Sequence, residues 1–128
     1  MPRKAQISLA IAALVLAVPA QAGVRKDGDV LFQGRCTGAS TAKLKLSPEN
    51  GRIEVEFEVD QNRNGIAWQV ALRRNGVLVA SGVRVTRAPS GSFEFRRLLV
   101  NRPGRDVIRA TARRASGERC TATATWRR

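Results

Sequence analysis

The sequence predicts an all-β fold, a small antiparallel sandwich or barrel of seven or eight short strands. Three observations predict it. Residues 52–60 alternate without a break: Ile53, Val55, Phe57 and Val59 are apolar, whereas Glu54, Glu56, Glu58 and Asp60 are acidic. Strand side chains point to opposite faces with a period of two, so this segment has one apolar and one acidic face. Turn chemistry recurs at short intervals, at Asn50-Gly51, Asn64-Gly65, Asn75-Gly76, Ser90-Gly91, Pro103-Gly104 and Ser116-Gly117. Beyond residue 22 no stretch carries helical periodicity.

The chain opens on an export address. Arg3 and Lys4 precede an apolar run over 7–18, and Ala20-Gln21-Ala22 supplies a small-x-small cleavage signature. That pattern is a cleaved signal peptide over 1–22. The run is shorter than the roughly 20 residues a spanning helix needs. No cysteine follows the cleavage site to take a lipid, and no second long apolar run follows. The expected location is therefore secreted, extracellular or in the cell envelope. Residues 23–29 form a flexible polar leader and 30–128 a single domain.

Within that domain, 30–36 reads as a first edge strand. Leu44 and Leu46 alternate with Lys43 and Lys45. Residues 47–51 read as a turn, since Pro48 sets φ and Asn50-Gly51 tolerates positive φ. The resulting hairpin puts both lysines on the face of Glu54 and Glu56. After the loop 60–65, Trp68, Val70 and Leu72 share one face of a strand. Asn75-Gly76 is a hairpin turn leading into 77–80, and Ser81-Gly82 is an expected bulge before 83–85. Beyond the turn at 88–91, Phe93 and Phe95 point inward. After the turn at 101–104, Ile108, Ala110 and Ala112 face the core, with Arg109 and Arg113 outward. A last hairpin places Cys120, Ala122, Ala124 and Trp126 opposite Thr121, Thr123 and Thr125.

Pro89-Ser90-Gly91-Ser92-Phe93-Glu94-Phe95 is similar to the turn-and-strand entry of bacterial immunoglobulin-like domains, the Big and fibronectin-III-like group. Residues 104–112 followed by 117–126 resemble their closing hairpin, and Trp68 and Asn75-Gly76 fit the same pattern. The resemblance covers residues 41–126. It implies an immunoglobulin-like two-sheet sandwich, with strands near 41–46, 52–60 and 92–99 in one sheet. Those near 67–73, 77–86, 106–114 and 118–126 form the other. It implies no catalytic or binding residue, because the fold hosts many functions. The chain has no Tyr and so no tyrosine corner, and its cysteines lie on the first and last strand regions.

Cys36 and Cys120 are the only cysteines, and an isolated pair in an exported domain reads as a disulfide. Such a long loop is worth roughly 4–5 kcal/mol in the chain-entropy account. Neither cysteine has the nearby partner of a redox motif.

The chain contains no His, which removes the commonest general base and the usual activator of a serine nucleophile. Neighbouring carboxylates on residues 54–60 lie about 7 Å apart along the strand, inside the range of a glycosidase pair. The sugar-stacking aromatics of such a site are missing, since Trp68 and Trp126 fall on core-facing positions. The sequence therefore reads as non-catalytic and without a cofactor. Asp60, Asn62, Asn64 and Gly65 copy the opening of a calcium loop. Ala71 stands where that loop needs a bidentate Glu, and Arg63 sits inside it, so no metal is assigned.

The charge is strongly one-sided. There are 23 basic residues against 10 acidic ones, and loss of Arg3 and Lys4 would still leave a net charge of +11. Arg73, Arg109 and Arg113 are expected to point outward on neighbouring strands, beside Thr121, Thr123 and Thr125, with Arg127 and Arg128 extending the face. Guanidinium forks and hydroxyls suit phosphate, sulfate or carboxylate groups. The expected anion site is Arg73, Arg109, Arg113, Thr121 and Thr123. Its partner would be an anionic surface polymer or an acidic protein surface. Nucleic acid is disfavoured by export and by the lack of an exposed base-stacking aromatic. The competing expectation is a small extracellular structural or protein-interaction protein, such as an inhibitor, whose charge serves only solubility.

Overall fold

The computed structural model describes residues 27–127; the expected signal peptide, residues 23–26 of the leader and Arg128 lie outside the described residues. Nine strands are present: β1 (Val30–Gln33), β2 (Arg35–Cys36), β3 (Thr41–Glu49), β4 (Arg52–Asp60), β5 (Ala67–Arg74), β6 (Val77–Val85), β7 (Ser92–Val100), β8 (Arg105–Arg114) and β9 (Arg119–Arg127). They form two antiparallel sheets with no helix among the described residues. One has the order β1-β3-β4-β7 and the other β2-β9-β8-β5-β6. The arrangement is compatible with an immunoglobulin-like sandwich. The expected partition of strands between the sheets holds throughout.

The alternations read in the sequence define the core. Leu44, Leu46, Ile53, Val55, Phe57 and Val59 from one sheet meet Trp68, Leu72, Ile108, Ala110 and Cys120 from the other, all without solvent exposure. Each large apolar side chain removed from water in this way contributes about 1.5–3 kcal/mol before entropy is counted. Phe93 tilts against Trp68 with ring centroids 6.1 Å apart. The alanines of β8 and β9 leave room for these rings.

Three expectations are corrected. The first strand is two strands, which brings the number to nine rather than seven or eight. β1 pairs with β3 in one sheet, and β2 pairs with β9 in the other. Gly34 is the crossing point. A Cβ there would stand 2.8 Å from the Thr121 carbonyl oxygen and 3.1 Å from the Ala42 methyl, so only glycine lets the chain pass between the sheets. Second, the turn expected over 47–51 is only Asn50-Gly51, with φ of 46° and 75°, the type I′ geometry of a two-residue hairpin. β3 runs through Pro48, which pairs with Ile53. Because Glu49 and Arg52 close the hairpin, the Pro48 nitrogen faces away from β4, and β1 ends its pairing at Leu46. No ladder bond is lost.

Third, the bulge lies at Val79 and not at Ser81-Gly82. Arg73 stands opposite Leu78 and Leu72 opposite Ala80, so Val79 is the extra residue. Ser81 and Gly82 keep regular register opposite Ala71 and Val70. The shift inverts the rest of β6, since a slip of one residue exchanges the faces of a strand. Ala80, Gly82 and Arg84 turn inward, and Val83 and Val85 turn out to solvent. Arg84 lies 4.8 Å above the Phe95 ring, and Arg97 from β7 lies 4.3 Å from the same ring. Two inward arginines on the two edge strands on one side of the sandwich discourage pairing with another chain.

Cys36 and Cys120 are bonded and sit directly opposite each other in the β2–β9 pair. Two buried carboxylates complete the frame. Asp106 accepts two hydrogen bonds from Arg74, at 2.9 and 2.6 Å, and one from the Asn75 amide at 3.1 Å. The third guanidinium nitrogen of Arg74 donates to the Val100 carbonyl. Glu118 accepts from the Ser40 N–H, the Ser40 hydroxyl and Arg114 Nε. Both clamps tie a hairpin of the five-stranded sheet to chain outside it or at its rim.

Candidate anion-binding face

The outer face of the five-stranded sheet follows from the same alternation that builds its core. Every second residue of β8 and β9 points away from the alanines, and the register decides which of them meet. Arg73, Arg109 and Thr123 form one cross-strand row. The next row is Ala71, Thr111, Thr121 and Arg35. Beyond it come Gln69, Arg113 and Arg119, and at the far end Arg105 stands opposite Arg127. All five residues of the expected site, Arg73, Arg109, Arg113, Thr121 and Thr123, therefore lie on one surface.

Arg35, Arg105 and Arg119 join that surface in addition to the five expected residues. Arg105 and Arg119 obey the alternation that sends Arg109 and Arg113 outward. Arg35 needed the sheet switch at Gly34, which pattern alone does not reveal. With Arg127 the face carries seven guanidiniums, and no Asp or Glu occupies an outward position among them. An open trough of about 770 Å³ runs across it, lined by Arg73, Arg109, Arg113, Arg119, Thr111 and Val83 among others.

The electrostatics of this face are unbalanced. Arg73 is directly opposite Arg109, and Arg113 directly opposite Arg119, and like charges in that relation destabilise a sheet. None of the seven makes an ion pair or side-chain hydrogen bond within the described residues. Five arginines elsewhere are paired or cover a ring: Arg74 with Asp106, Arg114 with Glu118, Arg96 with Glu54, and Arg84 and Arg97 over Phe95. Arg52, Arg63, Arg87 and Arg102 are exposed outside this face, whereas these seven share one sheet surface.

The acidic stripe of β4 lies on the opposite side of the molecule and is neutralised there. Lys45 reaches Glu56 at 3.0 Å, Lys43 reaches Glu58 at 3.7 Å, and Arg96 reaches Glu54 at 2.6 Å. The hydrogen bond from Lys45 to Glu56 raises the lysine's pKa. Burial raises that of Glu56, and the adjacent Glu54 pushes the same way against the opposing pull of Lys45. The stripe is a charge ladder that sets register, with cross-strand pairs of this kind worth about 0.2–1 kcal/mol.

The calcium-like loop is fastened by its own chain. Asp60 accepts the Asn62 N–H at 3.0 Å, an Asx turn that fits the φ of 60° at Asn62. The Thr86 hydroxyl donates to the Arg63 carbonyl and accepts the Ile66 N–H. Among the described residues no group of three or more His, Cys, Asp or Glu is placed to hold a metal.

No protein-family model matches the chain, and neither a curated protein nor a solved structure does so.

Proposed function

We propose that the protein is an exported, non-catalytic binding module of immunoglobulin-like class that contacts anionic surface polymers through the outer face of its five-stranded sheet. The observation that carries this reading is the set of seven guanidiniums without a carboxylate among them and without a partner among the described residues. An anion seated between Arg73 and Arg109, or between Arg113 and Arg119, would turn a like-charge repulsion into a bridged contact. Thr111, Thr121, Thr123 and Gln69 add neutral donors between the charges. Rows of cations repeated along a sheet suit anions repeated along a polymer. The small-x-small signature at 20–22 and the disulfide support an oxidising, extracytoplasmic setting.

Elution from a dextran sulfate column tests the reading. The wild type should elute late, with a steep dependence on salt. Arg109→Gln with Arg113→Gln should bring elution forward far more than Arg52→Gln with Arg63→Gln. The second pair removes the same charge from other parts of the surface. Equal shifts would make the charge a general solubility device and refute the site.

A further inference from the structure

The outer face of the five-stranded sheet has an apolar margin, and the anion reading alone leaves it unexplained. Leu78, Val83 and Val85 are outward residues of β6, with 51%, 57% and 44% of their surface exposed. Leu78 stands next to Arg73, and Val83 stands next to Gln69 in the row that ends in Arg113 and Arg119. These side chains are exposed by a specific device. Without the bulge at Val79, the register set by the Asn75-Gly76 turn would place Val79 opposite Leu72. Val83 and Val85 would then face the core, with Arg84 in solvent. The bulge does the reverse: it turns a half-buried arginine over Phe95 and presents two valines to water. A conflict of this kind between local pattern and tertiary arrangement is where function is to be sought.

We infer that this face docks on an anionic lipid headgroup layer, its arginines on the phosphates and Leu78, Val83 and Val85 inserted among the acyl-glycerol atoms. The inference rests on the proposal that the face binds arrayed anions, and it narrows the array. A sheet face is broad and fits a planar layer of charge. Each arginine near an anionic membrane surface strengthens binding roughly fivefold, and apolar insertion adds to it. A soluble acidic polymer gives the apolar margin nothing to bury against. A saccharide would call for stacking rings, and both Trp68 and Trp126 are buried. A second copy would bring the same positive face, and Arg84, Arg97 and the bulge obstruct strand pairing at this edge.

Protein expressed from the full chain, with the same N-terminus verified by intact mass for every variant, is titrated with two kinds of vesicle. One is phosphatidylcholine alone, the other equal parts phosphatidylcholine and phosphatidylglycerol. The same proteins are eluted from dextran sulfate. Binding is expected only to the anionic vesicles. Leu78→Thr with Val85→Thr, which keeps strand-compatible side chains, should weaken vesicle binding about tenfold or more. Its elution from dextran sulfate should be unchanged. A gain-of-function variant guards against a misfolded one: Val85→Phe should tighten vesicle binding and leave dextran sulfate elution alone. Retention on dextran sulfate without vesicle binding would overturn the lipid inference and leave the anion face standing. So would vesicle binding indifferent to both sets of β6 variants. Loss of both activities would overturn the two readings together.

Discussion

Asp106→Ala is expected to be among the most damaging single substitutions in this protein. Arg74 and Asp106 retain only 5% and 4% of their accessible surface, and they are joined by two hydrogen bonds in fork geometry. Removing the carboxylate leaves a buried guanidinium with the Val100 carbonyl as its remaining acceptor and deprives the Asn75 amide of its partner. Breaking a buried pair from one side costs about 3–5 kcal/mol. The pair lies near the rim of the sandwich, where water can enter on relaxation, so about 3 kcal/mol is the appropriate figure. A domain of this size has roughly 5–15 kcal/mol in all. Urea denaturation followed by tryptophan fluorescence measures the loss directly, since Trp68 and Trp126 are buried. The control is the apolar replacement of both partners, Arg74→Met with Asp106→Leu, which should recover most of the loss because no charge is stranded. A cost below about 1 kcal/mol for Asp106→Ala would refute the assignment, as would a double variant as unstable as the single one.

Two further outcomes follow from the same frame. Cys36→Ser with Cys120→Ser should lower stability by roughly 4–5 kcal/mol, read from the same urea curves, because the bond closes a loop spanning nearly the whole domain. In acid, stability should fall as pH drops below the ordinary carboxylate range near 4. The hydrogen bonds from Arg74 lower the pKa of Asp106. For Glu118 burial pushes upward, yet bonds from Arg114 and Ser40 outweigh it and the net shift is downward. A carboxyl whose folded pKa lies below its unfolded value gives stability that is complete above the unfolded pKa and is lost as pH falls through the folded one. Glu56, raised by burial, works in the opposite sense and is weakly unfavourable at neutral pH. Glu118→Gln should flatten the acid decline measured by thermal unfolding.

Much of the fold is legible because the chain repeats one local rule. Alternation over 42–46, 52–60, 67–73 and 106–126 names nearly every core residue, and two Asn-Gly pairs place two hairpins. The legible part of the candidate face is likewise local: Arg109, Arg113, Thr121 and Thr123 are outward because their neighbours are inward. What was not legible depends on packing between distant segments. Gly34 reads as an ordinary flexible residue until Thr121 and Ala42 are seen to crowd it. Pro48 reads as a turn residue until its nitrogen is seen to face an unpaired side of β3. Arg74 and Asp106 fall on the inward parity of β5 and β8, but that they meet depends on the register between those strands, which sets Arg74 opposite Ile108.

β6 divides the two kinds of information most sharply. Composition and periodicity alone determine that the chain is all-β, that its cysteines can close a long loop and that its charge is strongly positive. They could not determine which face of β6 meets the core. Val77, Val79, Val83 and Val85 suit an inward strand, and hydrophobic pattern normally fixes register. The tertiary structure reversed that at Val79, where one extra residue lets Gly82 pass the Phe95 ring and Arg84 cover it. Register is a relation between strands, and the packing of Phe95 from β7 is part of what selects it. The same relation gathered seven arginines on one surface and left a row of aliphatic side chains beside them.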